Sequence, residues 1–112
     1  MELRSARGWA AVAGRLGIAG PPDPAALLEA CRRRVGVEGI AWMAARGPSR
    51  ARPRARGRWL AGTITLFPRA FADARTLAHT ALHELAHARG LDEEAAERLV
   101  REVLDGPQPE TS

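Results

Sequence analysis

Leu82-His83-Glu84-Leu85-Ala86-His87 is the stretch around which the rest of the chain is organised. Placed on a helix, His83 and His87 stand four residues apart and project from one face, with Cβ atoms about 6 Å apart. That spacing lets both imidazoles ligate one Zn²⁺ at roughly 2.0–2.1 Å. Glu84 sits one position along, off the ligand axis and within reach of a water on the metal. The flanks predict the helix. From Asp73 to Ala88 the chain has no Gly or Pro, is rich in Ala and Leu, and lines up Leu77, Ala81, Leu85 and Ala88 along one stripe. Asp73 reads as the N-cap, and Gly90 supplies a stop just past Arg89.

A catalytic zinc site takes three protein ligands and keeps one position for water. Cys31 is far away in sequence, whereas the acidic run Asp92-Glu93-Glu94-Ala95-Ala96-Glu97 follows the motif almost at once. Gly90 can take a positive φ and turn the chain, after which Asp92 caps a second helix running to about Leu104. Two helices folded back about Gly90 set Glu93 opposite His87 and Glu97 opposite His83. Glu93 is the expected third ligand, with Glu94 as its competitor because sequence does not fix helix rotation to better than about one residue. Glu97 is expected beyond the ligands, accepting the free N–H of His83. His79 lies one turn earlier on the same face. Three collinear His span about 12 Å, too far to share one metal, so His79 is expected as an oxyanion or substrate contact rather than a ligand.

The segment from Leu77 to Val100 resembles the core of zincin metallopeptidases of the minimal gluzincin type, in which a glutamate on a following helix is the third metal ligand. Glu93 through Glu97 is similar to the Glu-x-x-Ala-Asn/Asp signature of ImmA/IrrE-type peptidases, with Glu97 where Asn or Asp is usual. The gap between His87 and Glu93 is shorter than in most gluzincins. Gly62-Thr63-Ile64-Thr65-Leu66 ahead of His-Glu-Leu-Ala-His also resembles SprT-like peptidases, which normally use a third His that is missing here. His87-x-x-Gly90-x-x-Glu93 overlays the metzincin extension with Glu for the third His, without the Met-turn. The resemblance implies a Zn²⁺-dependent peptidase acting on peptide or protein substrates. In it, Glu84 takes a proton from the metal-activated water and passes it to the leaving amine. It further implies that a strand beside the active helix binds the extended substrate by strand addition, a role expected of Gly62, Thr63, Ile64 and Thr65.

The 112 residues suffice for one domain with a modest core. All 17 basic residues are Arg, and their distribution is uneven. Residues 1–58 carry 12 Arg against 4 acids and residues 59–112 carry 5 against 9, giving the net +4. A single Cys excludes an intramolecular disulfide. Cys31 is expected as a small core residue; capping of the zinc by its thiolate is the functional alternative. No run of about 18 apolar residues predicts a membrane span. The Ala-rich run from Trp9 to Ile18 is broken by Gly14, Arg15 and Gly17 and is too short for a secretory signal. A cytoplasmic protein is expected, with secretion as an effector left open.

Residues 3–17 read as a short helix with Leu3, Trp9, Val12 and Leu16 toward the core. After Gly20-Pro21-Pro22, Asp23 caps and Pro24 opens a second helix that ends near Val35-Gly36, with Leu27, Leu28 and Cys31 on its apolar side. Val37 to Ala45 and Trp59 to Phe67 read as strands paired in an antiparallel hairpin. Residues 46–58 form the connecting loop, with Arg50, Arg52, Arg54, Arg56 and Arg58 at alternate positions. That loop reads as a solvated connection, because no aromatics are interleaved for base stacking; nucleic-acid contact is its functional alternative. The tail from Gly106, residues 106–112, is expected to be flexible. The expected architecture is therefore α+β: N-terminal helices, a small antiparallel sheet, the His-Glu-x-x-His helix and a glutamate helix. The competing function class is a zinc-binding regulatory or interaction module with little catalysis.

Overall fold

The fold is built around a helix that is buried along one whole side. In the computed structural model, which describes residues 1–107, this helix is α3, Ala74–Ala88. Leu77, Ala78, Ala81, Leu82, Leu85 and Ala86 on it are fully buried. Its opening turn is fixed by Asp73, whose carboxylate accepts from the Thr76 N–H at 2.8 Å. Three helices and a sheet surround it. Helices α1 (Trp9–Leu16) and α2 (Pro24–Val35) precede the sheet, and α4 (Glu93–Asp105) follows α3. Helices α2 and α4 make the most extensive contacts with α3, and the sheet packs on it mainly through its second strand.

Asp23 caps α2 through the Ala25 and Ala26 N–H groups, Pro24 stands in its first turn, and Gly36 ends it, as the sequence predicts. Leu27, Leu28 and Cys31 lie at the centre of the core. Helix α1 is shorter than the predicted 3–17. The chain ahead of it is held in another way: the Arg4 N–H donates to the Phe71 carbonyl at 2.8 Å, tying the N-terminal segment to a 3-10 turn at Pro68–Phe71. Trp9 and Val12 are buried as expected, and Leu3 and Leu16 pack at the edge of the core. Among the described residues no helix is long and apolar enough to cross a membrane. Residues 108–112 of the expected flexible tail lie outside the described residues.

The architecture is α+β, but the sheet differs from the expected antiparallel hairpin. Its strands are β1 (Ala41–Ala44), β2 (Gly57–Leu60) and β3 (Thr63–Leu66), in the order β1-β3-β2. β1 runs parallel to β3, and β2 is antiparallel to it. The reason lies inside the run from Trp59 to Phe67, which is two strands and a turn. Ala61 and Gly62 form its two-residue loop with φ of 48° and 86°. Positive φ at both central positions matches the right-handed twist of a tight hairpin. The turn resets the alternation. Trp59 pairs with Ile64, and Trp42 pairs with Ile64 from the other side, so these three face the helices. Leu60, which would share a face with Ile64 in one continuous strand, points outward beside Arg58 and Met43 and is exposed.

Ala61 is the only non-glycine described with positive φ, a conformation that disfavours a Cβ by about 1–2 kcal/mol. Asn tolerates that region better than Ala. Ala61→Asn is therefore expected to stabilise the fold by about 1 kcal/mol, measured as an increase in the urea midpoint at unchanged slope. An unchanged or lower midpoint would contradict the turn geometry.

Candidate metal centre and cleft

The side of α3 opposite its buried stripe carries His79, His83 and His87 at successive turns, with Glu84 beside them. What faces them is decided by how α3 ends. Gly90, with φ of 97°, donates to the His87 carbonyl at 2.9 Å, and Leu91 donates to the Ala86 carbonyl at 3.0 Å. This pair of bonds is a Schellman motif, and it reverses the chain within a few residues. Asp92 then caps α4 by accepting from the Ala95 N–H at 2.8 Å. Ala96, Val100, Val103 and Leu104 are buried on α4. With α4 folded back along α3, its i, i+4 pair Glu93 and Glu97 lies across from the i, i+4 pair His87 and His83.

Glu93 Oε1 lies 2.8 Å from His87 Nε2, and its Oε2 lies 3.3 Å from His83 Nε2. The two Nε2 atoms are 3.0 Å apart. Ligand atoms held tetrahedrally at roughly 2.0–2.1 Å from one ion stand about 3.3 Å from each other, so these separations are close to those of three ligands on one face of a tetrahedral shell. Glu94 makes no contact with either His among the described side-chain bonds and ion pairs. The far side of each ring faces an acceptor. His87 Nδ1 donates to the Leu91 carbonyl at 2.9 Å, a carbonyl set there by the Schellman turn. His83 Nδ1, buried, lies 2.9 Å from Glu97 Oε1, at ion-pair distance though out of line for a hydrogen bond.

These contacts are the test of whether a metal fits. With a proton on His87 Nδ1, which the Leu91 carbonyl requires, and one on His83 Nδ1, the two Nε2 lone pairs and the Glu93 carboxylate would converge as a set that a cation satisfies. His83, His87 and Glu93 could thus hold a metal ion. His79, His83 and Glu97 form a second such group sharing His83, with His79 Nε2 3.7 Å from Glu97 Oε1. Cys31 belongs to neither group. It is fully buried on α2, and burial pushes its thiol up to about 12, so it does not cap the centre.

The electrostatics follow from burial and neighbours. Burial raises the Glu84 carboxyl above its usual range, against the pull of His83, His87 and the Trp59 backbone N–H. Burial is also the main cause that lowers His79, with Glu97 opposing and His83 and Arg56 adding to it, so His79 is neutral at neutral pH. Burial opposes protonation of His87, but the Leu91 carbonyl and Glu93 outweigh it and raise its pKa. The slight desolvation of exposed Glu93 is likewise outweighed by His83 and His87, which lower its pKa.

The strand expected to receive an extended peptide is corrected. Thr63, Ile64 and Thr65 lie on the central strand, flanked by β1 and β2, and Gly62 lies in the turn. Their backbone is already paired, so no further strand can add there. The free edge beside α3 belongs to β2. The Phe67 N–H bonds the Arg56 carbonyl, and by antiparallel alternation the Gly57 and Trp59 backbone groups face outward. A cleft of about 420 Å³ opens at this side of the centre, lined by His79, His83, Glu84, Glu97, Thr80 and Gly57 and flanked by Arg54, Arg56 and Arg69. Sequence reasoning singled out neither Leu91 nor Thr80, Gly57 and Arg69. Their roles come from a backbone carbonyl and from packing between elements, and only a glycine at a strand start hinted at close approach.

Comparison of the chain with protein-family models, with curated proteins and with solved structures finds no match.

Glu93→Ala is expected to weaken metal binding more than the roughly 10–100-fold typical of losing an outer-shell partner, while Glu94→Ala leaves it unchanged. Metal content and competition with a chelator read both, and equal losses would reject Glu93 as the ligand. A Cβ on Gly57 would stand 2.7 Å from the Thr80 methyl and 3.2 Å from Glu84 Cγ. Gly57→Ala is therefore expected to cost about 1–3 kcal/mol. Thr80→Ser, which removes the methyl but keeps the hydroxyl that donates to Thr76, should recover part of it. A double-mutant cycle without coupling would mean the strand does not approach the helix at Gly57.

Proposed function

We propose that this protein is a zinc-dependent metallopeptidase of the minimal gluzincin type. The observation that carries the reading is the convergence of a glutamate from α4 on the His83/His87 pair, with Glu84 in the adjoining cleft and the free edge of β2 beside it. His83, His87 and Glu93 would hold the ion. A His₂Glu set suits Zn²⁺, which when bound lowers the pKa of water towards 7 and polarises a carbonyl.

The chain's own groups supply the rest. An extended peptide adds to β2 through the outward backbone groups of Gly57 and the Trp59 carbonyl, while the Trp59 N–H faces Glu84, and this aligns a peptide bond along the cleft. Glu84 receives the proton of the attacking water and delivers it to the leaving nitrogen. Its burial raises its basicity toward the range in which both transfers proceed near neutrality. Neutral His79, one turn along the same face, has an N–H to offer the developing oxyanion or the substrate backbone. Glu97 holds the His83 ring from behind.

Glu84→Gln is expected to retain its metal and lose casein cleavage by about 10²–10⁴-fold; removing the metal should abolish cleavage and adding zinc back should restore it. Metal bound by a wild-type protein that cuts nothing would support a metal-stabilised interaction module instead. A protein that binds no metal would end the reading.

A further inference from the structure

We infer that Arg54, Arg56 and Arg69 form a carboxylate-binding subsite in the cleft beside the metal centre, so that the protein selects peptides presenting a carboxylate next to the bond to be cut. The inference rests on the peptidase reading for the word "cut", but not for the binding itself. All three guanidinium-bearing residues line the same cleft as His79 and Glu84, although they come from two separate segments. Each is held by backbone structure. Arg54 occupies the third position of a β-turn that has Pro53 at its second and is closed by the Ala55 N–H on the Arg52 carbonyl at 2.9 Å. Arg56 is pinned where its carbonyl accepts from the Phe67 N–H at 2.8 Å, directly ahead of the free edge of β2. Arg69 is carried by the 3-10 turn after Pro68.

None of the three enters an ion pair or a side-chain hydrogen bond among the described residues. The arginines that do are Arg15, Arg32, Arg33 and Arg75. A surface arginine is commonly solvated and means nothing. Three of them lining one concavity of about 420 Å³ from two segments outnumber its two carboxylates, Glu84 and Glu97, and Glu97 contacts His83, so the arginine side of the cleft has a local positive field that favours an anion. The same field argues against a second cation on His79, His83 and Glu97. A planar guanidinium pairs best with a planar carboxylate, through two parallel N–H···O bonds.

Position then narrows the substrate. His79 marks the cleft one helical turn from His83, about 6 Å along α3. Extended peptide advances about 3.3 Å per residue, so a carboxylate there belongs to a residue within two of the scissile bond. It is either an Asp or Glu side chain or the substrate's own C-terminus.

The test uses the full-length, zinc-loaded Glu84→Gln protein, which binds without cutting, and fluorescent eight-residue peptides. Each peptide has Glu or Gln beside the central bond and a free or amidated C-terminus. Expected is binding roughly 10- to 100-fold tighter for the carboxylate form, lost on adding Arg54→Ala, Arg56→Ala or Arg69→Ala and kept with Arg101→Ala. Metal content and circular dichroism of each variant report its fold. Preference for internal Glu in amidated peptides assigns the subsite to a side chain, and preference for the free acid assigns it to a C-terminus; either sustains the inference. Equal binding of Glu and Gln peptides with either terminus, or a preference that survives all three Arg variants, overturns it. So does an oligonucleotide that displaces the acidic peptide, depends on the same arginines and weakens steeply with salt. Arginine-dependent binding by a wild-type protein that cleaves none of the peptides sustains the subsite and overturns the peptidase reading alone.

Discussion

A helix that buries seven apolar side chains and carries imidazoles on its other side has little freedom to rotate. Leu77, Ala81 and Leu85 fix α3 about its axis, and by the same geometry they fix the direction in which His83 and His87 point. The core therefore aims the site. A rotation of α3 by one position would bury a ring nitrogen and expose a leucine, and both changes oppose it. Thr80 belongs to this arrangement: its hydroxyl bonds back to the Thr76 carbonyl and its methyl sits against Gly57. Helix and strand can then approach closely enough for one cleft to have a wall from each.

The second constraint is the turn at Gly90. Its Schellman bonds end α3, present the Leu91 carbonyl to His87, and start α4 at the distance that brings Glu93 back over the rings. One short segment thus provides a helix stop, a partner for the His87 ring and the approach of the acidic helix. Since α4 is anchored by Val100, Val103 and Leu104 well beyond the site, its first turn can hold an exposed carboxylate without contributing to the core.

These two features explain what was legible in the sequence. Helix ends were readable because caps act over a few residues: Asp23 with Pro24, Asp73, and Asp92 with Gly90 all cap or stop the helices assigned to them. The facing of Glu93 and Glu97 to the histidines was readable because it needs only two helical periods and one turn. The sheet was misread because strand pairing is not local. Ala61-Gly62 lacks the Asn or Asp that announces a two-residue hairpin, and without that turn the run from Trp59 to Phe67 alternates plausibly as one strand. Missing it moved the edge strand from β2 to β3 and reversed which face Leu60 occupies. The arginine-flanked cleft was out of reach for a related reason: nothing in the spacing of Arg54 and Arg56 says that Arg69 will meet them.

The uneven charge along the chain acquires a spatial meaning in the fold. Arg54 and Arg56, from the basic half, flank the cleft together with Arg69, while Glu93 and Glu97 come from the acidic helix and contact the histidines. Opposite charges in one cleft would ordinarily collapse onto each other as ion pairs. Here Glu93 and Glu97 contact His83 and His87 instead, and none of the three arginines is in an ion pair among the described residues. Occupying Glu93 with a cation would leave the arginines still less compensated. On the proposed reading, the cleft would suit a substrate that carries a carbonyl toward the histidines and a negative charge toward the arginines.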